Sequence, residues 1–171
     1  ACVLGHFALY FILKAGHVAQ VNNRSIPMNN TQEQQPVTAS LVADNQRLTF
    51  LPSYFGTRLM IRGEALVYAW LRRLSKDYDG GYWHYYTLTN GGFYMAPRLT
   101  ERLRLEVSGN GFEGEMSADA AGIVATLFAL GQLAAEIQGT DAADALIDRY
   151  HFLREFVDEH AEAGPIFRAI D

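Results

Sequence analysis

The sequence predicts an α+β fold in a single domain, in which a small antiparallel sheet packs with separate helices. Apolar and charged residues alternate over residues 101–107, which is typical of a half-buried strand. Two aromatic-rich runs flank Asn90 and Gly91, a dipeptide that favours a hairpin turn. Long helical patterns follow the strands instead of alternating with them. We therefore expect about three to four strands within residues 81–116, and helices near 64–77, 117–137 and 141–162.

Two helices are predicted before the sheet. A short helix is predicted within residues 47–56, with Pro52 in its first turn and Gly56 at its end. A longer helix covers residues 64–77, because apolar side chains recur there with helical spacing on one face. These side chains are Leu66, Trp70, Leu71 and Leu74.

The strand-like segments follow one another directly. "GYWHYYTLT" (81–89) and "FYMAP" (93–97) form the predicted hairpin. "ERLRLEV" (101–107) directs leucine and valine to one face and charged residues to the other. "GFEGEM" (111–116) is predicted to continue as a fourth strand after a glycine turn.

Two helices are predicted after the sheet. Residues 117–137 are apolar on nearly all sides, so we expect this helix to be buried at the centre. Ser117 suits its N-cap, and Asp119 complements its dipole. Residues 141–162 form an amphipathic helix that is predicted to end at Gly164.

The predicted organisation is an extension with a flexible arm in residues 1–40 and a folded domain in residues 41–171. The run "ACVLGHFALYFIL" (1–13) is apolar, but it is too short to span a bilayer and lacks the preceding basic region of a signal peptide. Residues 22–46 are rich in Asn, Gln, Ser and Thr, which is typical of flexible segments. We expect the functional protein to begin near Met28, where a polar stretch starts.

The composition restricts the class of protein. With 49% hydrophobic and 19% charged residues, the chain is globular, and we expect no membrane association. Cys2 is the only cysteine, which excludes a disulfide framework and fits a reducing, cytoplasmic location. The net charge is −5, and residues 111–171 carry twelve acidic and three basic side chains. This distribution opposes direct binding of nucleic acid, which needs clustered Lys and Arg.

A glycine motif raises the question of nucleotide binding. The three glycines of "GNGFEG" (109–114) have the G-x-G-x-x-G spacing of a dinucleotide-binding turn, between a predicted strand and a predicted helix. The motif contains Glu113 and is followed by Glu115, whose negative charges oppose a pyrophosphate, and no second parallel strand is predicted. We interpret the glycines as turn residues, and retain a small nucleotide-binding protein or enzyme using the 109–122 turn as the alternative function.

No other pattern assigns a catalytic residue, a cofactor or a metal ion. "DYDGG" (77–81) opens like a calcium loop, but Leu88 occupies the position that requires a bidentate Glu. His151 and His160 lie near carboxylates at helical spacing, but a third ligand with metal-site spacing is missing. The aromatic run "YDGGYWHYY" (78–86) could be a base-stacking platform. Because no basic residue is interleaved with it, packing in the sheet is favoured.

A row of carboxylates is the candidate partner-binding feature. Its members are separated by 3, 4, 7, 3, 1 and 3 residues along the last predicted helix, so that several share one side. The row is interpreted as a docking stripe for a basic partner, and the alternative is the solvated side of an amphipathic helix. The residues are Asp141, Asp144, Asp148, Glu155, Asp158, Glu159 and Glu162.

Four long segments resemble antirestriction proteins of the ArdB/KlcA type. They are "LTFLPSYFG", "GGYWHYYTLTNGGFYMAP", "GNGFEGEMSADAAGIVATLFAL" and "DRYHFLREFVDEHAEAGPIFRAID". The resemblance covers about residues 41–171 in the same order, and its motifs are long and specific. Residues 1–27 have no counterpart in it, which agrees with a start near Met28.

The resemblance implies a plasmid or mobile-element protein that protects incoming DNA during conjugation from host type I restriction-modification. It implies a non-enzymatic interaction protein in the bacterial cytoplasm, without cofactor or metal, that meets the restriction complex or a factor controlling it. It implies no direct nucleic-acid binding, and the modest charge separates the chain from strongly acidic DNA mimics. We expect a monomer, although the oligomeric state is left open.

Overall fold

The computed structural model describes residues 35–171, in which five strands and five helices follow the predicted α+β order. A single 3-10 turn, Asp44–Gln46, precedes the first helix. The elements are β1 (Ala39–Leu41), α1 (Arg47–Phe55), α2 (Met60–Leu74), β2 (Trp83–Leu88), β3 (Phe93–Pro97), β4 (Leu103–Val107), β5 (Phe112–Met116), α3 (Ala118–Glu136), α4 (Asp141–Asp158) and α5 (Ala163–Ile170).

The strands form two antiparallel sheets where the sequence predicted one. The first has the order β1-β2-β3, and the second is the pair β4-β5. β3 ends at Pro97, and proline cannot donate to a continuing ladder. β1 comes from residues that were expected to belong to the arm, and it pairs with β2 through Ala39 opposite Leu88. A strand of three residues is too short to show a periodic pattern, so the sequence did not reveal it.

Both predicted hairpins are present, and an Asn-Gly turn of the same kind closes each of them. Between β2 and β3, the Asn90 side chain accepts a hydrogen bond from the Gly92 N–H at 3.0 Å. Between β4 and β5, the Asn110 side chain accepts from the Phe112 N–H at 3.0 Å. Gly91 and Gly111 have φ values of 89° and 74°, which residues other than glycine rarely adopt.

Helix α3 is the centre of the fold, as its apolar sequence predicted. It contacts α2, α4, α5 and β3. By length and composition alone this helix could cross a membrane, but 78% of its most apolar window is buried inside the protein. Gly122 allows the close approach to β3, because a Cβ there would overlap the Met95 carbonyl oxygen and lie 2.5 Å from the Ala96 Cα. α3 is therefore the core helix of a folded domain.

Three helices differ from prediction in their boundaries. α1 begins at Arg47 and has Pro52 in its interior instead of its first turn, although Gly56 ends it as predicted. α2 covers Met60–Leu74 instead of 64–77; it begins four residues earlier than predicted, and it ends before Ser75 because that residue is already extended.

The helix predicted over 141–162 ends at Asp158, and α5 begins at Ala163, so that Gly164, which was predicted to end the helix, lies inside α5. Tertiary contacts of the turn between them, described below, explain this division. The expectations for residues 1–34, including the start near Met28, lie outside the described residues, and the boundary between arm and domain stays a prediction.

Candidate interaction surface

Helix α4 separates a buried apolar face from an acidic one. Its N-terminus is capped by Thr140, whose side chain accepts a hydrogen bond from the Ala143 N–H at 3.2 Å. Asp141 and Asp144 lie in its first turn, where negative charge complements the helix dipole. The buried face packs on α3 and carries Ala143, Leu146, Ile147, Leu153 and Val157.

Five of the seven predicted partner-binding carboxylates lie exposed on α4, and we call them the acidic face. The spacings of three, four and seven residues place the first four on one side of the helix, in a row about 21 Å long at 1.5 Å per residue. Among residues 35–171, no ion pair involves Asp148 or Asp158. The members are Asp141, Asp144, Asp148, Glu155 and Asp158.

The acidic face is connected to the β2–β3 turn. Asn90 donates from its side chain to the Phe152 carbonyl at 2.8 Å and to the Glu155 carboxylate at 2.9 Å. Arg149 donates to the Gly91 carbonyl. Glu155 is therefore held in place by the hairpin.

The other two predicted carboxylates lie beyond α4 and have different surroundings. Glu159 is exposed at the C-terminal cap of α4. Glu162 is directed into the protein, and its side chain is 18% exposed. It accepts hydrogen bonds from the Ser117 N–H at 3.1 Å, from the Ser117 hydroxyl, and from Arg102 at 2.7 Å. This carboxylate is engaged inside the domain.

The environment of Glu162 also changes its titration. Burial alone raises the pKa of the carboxyl group, but the hydrogen bonds from Ser117 and Arg102 outweigh burial and hold this pKa below its ordinary value. Glu162 is thus stabilised as a carboxylate at the start of α3.

The glycine segment 109–114 does not form a phosphate cradle. β4 and β5 are antiparallel neighbours in a hairpin, whereas the dinucleotide motif requires a strand that feeds a parallel βαβ unit. The N-terminus of the following helix would be the anion site, but the Glu162 carboxylate already binds the Ser117 N–H there. Glu113, whose negative charge was expected to oppose a pyrophosphate, forms an ion pair with Arg104 at 3.0 Å.

A serine, a histidine and an aspartate meet near the start of α3, which the sequence did not reveal. His160 Nε2 lies 3.2 Å from Asp119 Oδ2, and Tyr94 donates to the same carboxylate at 3.1 Å. Nδ1 of His160 accepts the Glu162 N–H at 3.0 Å, which places the ring proton on Nε2 and directs it to Asp119. The Ser117 hydroxyl donates to Glu162 and not to His160, so this cluster is not a nucleophile–base pair.

Two surface clefts accompany these features. One of about 320 Å³ lies beside Asp119 and is lined by His84, Tyr86 and Arg98, among others. The second, of about 370 Å³, lies between α2 and the loop before β2 and contains Arg47 and Arg72. Within residues 35–171, no group of three or more His, Cys, Asp or Glu side chains is arranged to hold a metal ion.

The fold and its surface define an α+β domain that displays acidic charge on one helix. The family model described as "Antirestriction protein" matches residues 76–171, and the chain belongs to this antirestriction family. The resemblance noted in the sequence is confirmed by this match.

Relatives and a solved structure support the assignment. An antirestriction protein KlcA of Escherichia coli is 78% identical over 142 residues, which cover 83% of this chain and 99% of the relative. The uncharacterized protein YafX of Escherichia coli K12 is 38% identical and covers 82% of this chain and 91% of the relative.

A solved structure is 74% identical in sequence to this chain. The match covers 84% of this chain and 100% of the solved chain, with a TM-score of 0.76. It comes from the KlcA and ArdB proteins, which show a novel fold and antirestriction activity against type I DNA restriction systems in vivo but not in vitro. The fold of this chain is therefore that of an antirestriction protein with known structure.

Proposed function

We propose that this protein lowers type I restriction of incoming DNA inside a bacterial host, and that it acts by binding a host protein instead of catalysing a reaction. The main support for this proposal is the 78% identity to an antirestriction protein KlcA over 99% of that relative. Protection of a plasmid or another mobile element during conjugation is the biological setting that this activity fits.

The behaviour of the solved relatives favours an indirect route. Their activity against type I systems occurs in vivo but not in vitro. A direct inhibitor is expected to work on the purified restriction enzyme as well, so an activity confined to cells favours the involvement of another cellular component. We therefore propose a factor that controls restriction as the binding partner, ahead of the restriction enzyme itself.

The acidic face is the proposed contact surface. Asp148 and Asp158 are exposed and have no ion pair among residues 35–171, and the row along α4 complements a basic partner surface. Glu159 extends the face by one exposed carboxylate. Glu162 is omitted from the proposed surface because Ser117 and Arg102 already occupy its carboxylate.

The alternative of a nucleotide-binding protein or enzyme that uses the 109–122 turn has less support. The antiparallel pairing of β4 with β5 and the Glu162 carboxylate at the helix start both act against an anion at that position.

A plating experiment tests the proposed function. Unmodified phage is plated on a host with an active type I system, with and without expression of this chain, and on an isogenic host without the system. We expect the chain to raise plating efficiency only in the restricting host. Equal plating with and without the chain would refute the proposal.

A second experiment separates the two routes. The purified chain is added to a purified type I enzyme, alone or with soluble extract of a non-restricting host. Inhibition that requires the extract supports a controlling factor, whereas inhibition by the chain alone shows direct action on the enzyme.

A further inference from the structure

The cleft between α2 and the loop before β2 joins the aromatic run 78–86 to two arginines that lie outside the run in the sequence. Tyr78, Tyr82 and Trp83 belong to the run, whereas Arg47 comes from α1 and Arg72 from α2. The absence of interleaved basic residues had argued against a base-stacking platform. The tertiary structure supplies those residues from other elements.

Arg47 is held in a fixed orientation at the edge of this cleft. Its Nη1 donates to the Trp83 carbonyl at 2.9 Å. Its guanidinium carbon lies 4.1 Å from the centre of the Tyr85 ring and 4.6 Å from that of Tyr82. The guanidinium thus lies against both rings, and an anion would meet a preorganised donor.

The cationic charge of the cleft is not neutralised by an ion pair within the described residues. Neither Arg47 nor Arg72 pairs with a carboxylate of residues 35–171. The nearby carboxylates accept hydrogen bonds from tyrosine hydroxyls instead. Glu64 accepts from Tyr68 and Tyr85. Asp44 accepts from Tyr82. The two guanidinium groups remain available to an anionic ligand.

The same cleft offers an aromatic face and open backbone. Tyr82 is 49% exposed, although large aromatic side chains are usually covered. Gly80 and Gly81 have φ values of 127° and 133°, and a Cβ at either position would meet nothing within 4 Å. Their glycine identity is required by conformation, and it leaves the main chain bare where a ligand would approach.

We propose that this cleft binds a nucleoside monophosphate, with the base on Tyr82 and the phosphate at Arg47 and Arg72. A volume of about 370 Å³ lies at the small end of the roughly 300–1,000 Å³ range of ligand sites, so it fits one nucleotide unit better than a dinucleotide. Base stacking on an aromatic ring and bidentate binding of phosphate by arginine are the two interactions that this ligand class needs. The site is separate from the 109–122 turn and independent of the proposed antirestriction function.

Calorimetric titration of the full chain with AMP tests the proposal, with adenosine and inorganic phosphate as the two half-ligands. We expect saturable AMP binding, with each half-ligand binding at least about tenfold more weakly because it loses one of the two interactions. Phosphate alone binding as tightly as AMP would overturn the nucleotide class. No saturable binding of AMP, GMP, CMP or UMP would overturn the site.

Matched variants locate the binding. Arg72→Ala should weaken AMP binding about tenfold. The neighbouring Arg73 stacks on Trp70 outside the cleft, so Arg73→Ala should leave AMP binding unchanged. Tyr82→Ala should weaken binding and Tyr82→Phe should retain it, since the ring and not the hydroxyl stacks. Equal losses for Arg72→Ala and Arg73→Ala would refute the location. In amide NMR spectra, AMP should shift the signals of Gly80 and Gly81; shifts confined to residues 109–117 would also refute it.

Discussion

Glu162 accepts hydrogen bonds from both the backbone N–H and the side-chain hydroxyl of Ser117, 45 residues earlier in the chain. Ser117 is the N-cap of α3, and its side-chain oxygen also accepts from the Ala120 N–H at 3.2 Å. The contact joins the turn between α4 and α5 to the start of the central helix. It explains why the helix predicted over 141–162 divides, and why the glycine motif before α3 leads to no anion site.

The pH dependence of stability should report this contact. The pKa of Glu162 is lowered in the folded state, so the carboxylate stabilises the fold above its unfolded pKa, near the ordinary value of 4.5, and the contribution is lost as the pH falls through the folded pKa. At neutral pH we expect Glu162→Gln to lower the free energy of unfolding by about 1–3 kcal/mol.

Urea unfolding of both proteins between pH 7 and pH 3 measures this difference. It should stay constant down to about pH 4.5 and shrink below it. Glu159→Gln, an exposed neighbour, serves as the control and should change stability little at any pH. A Glu162→Gln difference that grows towards acid pH would contradict the assignment.

Gly122→Ala should destabilise the core strongly. A Cβ at this position would overlap the backbone of β3 at Met95 and Ala96, which cannot move aside as a flexible side chain can. We expect a loss of about 1–3 kcal/mol or more in the free energy of unfolding, measured by urea or thermal unfolding.

Gly164→Ala is the matched control for this prediction. The same added methyl group meets nothing within 4 Å in α5, and alanine favours a helix over glycine by up to about 1 kcal/mol. Gly164→Ala should therefore be neutral or stabilising. A similar loss for both variants would show that close packing on β3 is not the reason why Gly122 is required.

Thr126 connects α3 to β3 through its hydroxyl group. The buried oxygen accepts from the Met95 N–H at 3.2 Å and donates to the Gly122 carbonyl at 2.8 Å. Thr126→Val keeps the shape but leaves the Met95 N–H without an acceptor, so we expect a loss of about 1–3 kcal/mol. Amide hydrogen exchange at Met95 should accelerate in this variant.

Thr126→Ser provides the comparison, because it retains the hydroxyl and removes one methyl group at a cost of about 1 kcal/mol. Protection of the Met95 amide should persist in the serine variant. Unchanged protection in the valine variant would mean that the hydroxyl does not hold β3.

Neutralising part of the acidic face should weaken antirestriction without unfolding the domain. Asp148→Asn with Asp158→Asn removes two exposed charges, and Asp158 lies in the last turn of α4, where a negative charge opposes the helix dipole. We expect about a 3- to 10-fold weaker association with the partner and a matching fall in plating efficiency of unmodified phage.

The control removes the same charge elsewhere, through Asp79→Asn with Glu115→Gln, both exposed and outside α4. It should leave plating unchanged. If both double variants lose activity equally, net charge and not the acidic face is responsible.

Local patterns in the sequence were sufficient for the element types. The Asn-Gly turns, the alternation of residues 103–107 and the apolar run of α3 each express a local preference, and the structure has a hairpin, a strand and a buried helix at those places. β1 and the end of α4 at Asp158 were not predicted, because both depend on partners far away in the chain.

The candidate interaction surface was also predictable only in part from the sequence. Helical spacing alone brought Asp141, Asp148 and Glu155 to one side of α4, since that spacing is a property of the local backbone. Spacing could not show that Glu162 turns inward to Ser117, or that Arg47 stacks on Tyr82 and Tyr85.

The sequence by itself therefore determined the α+β class, the hairpins, the central helix and the family resemblance, all of which follow from residues close together in the chain. Only the tertiary structure decided which polar groups are satisfied inside the protein and which remain available at its surface. The physical reason is that hydrogen bonds and ion pairs act over a few ångströms in space, whatever the separation of their partners in sequence.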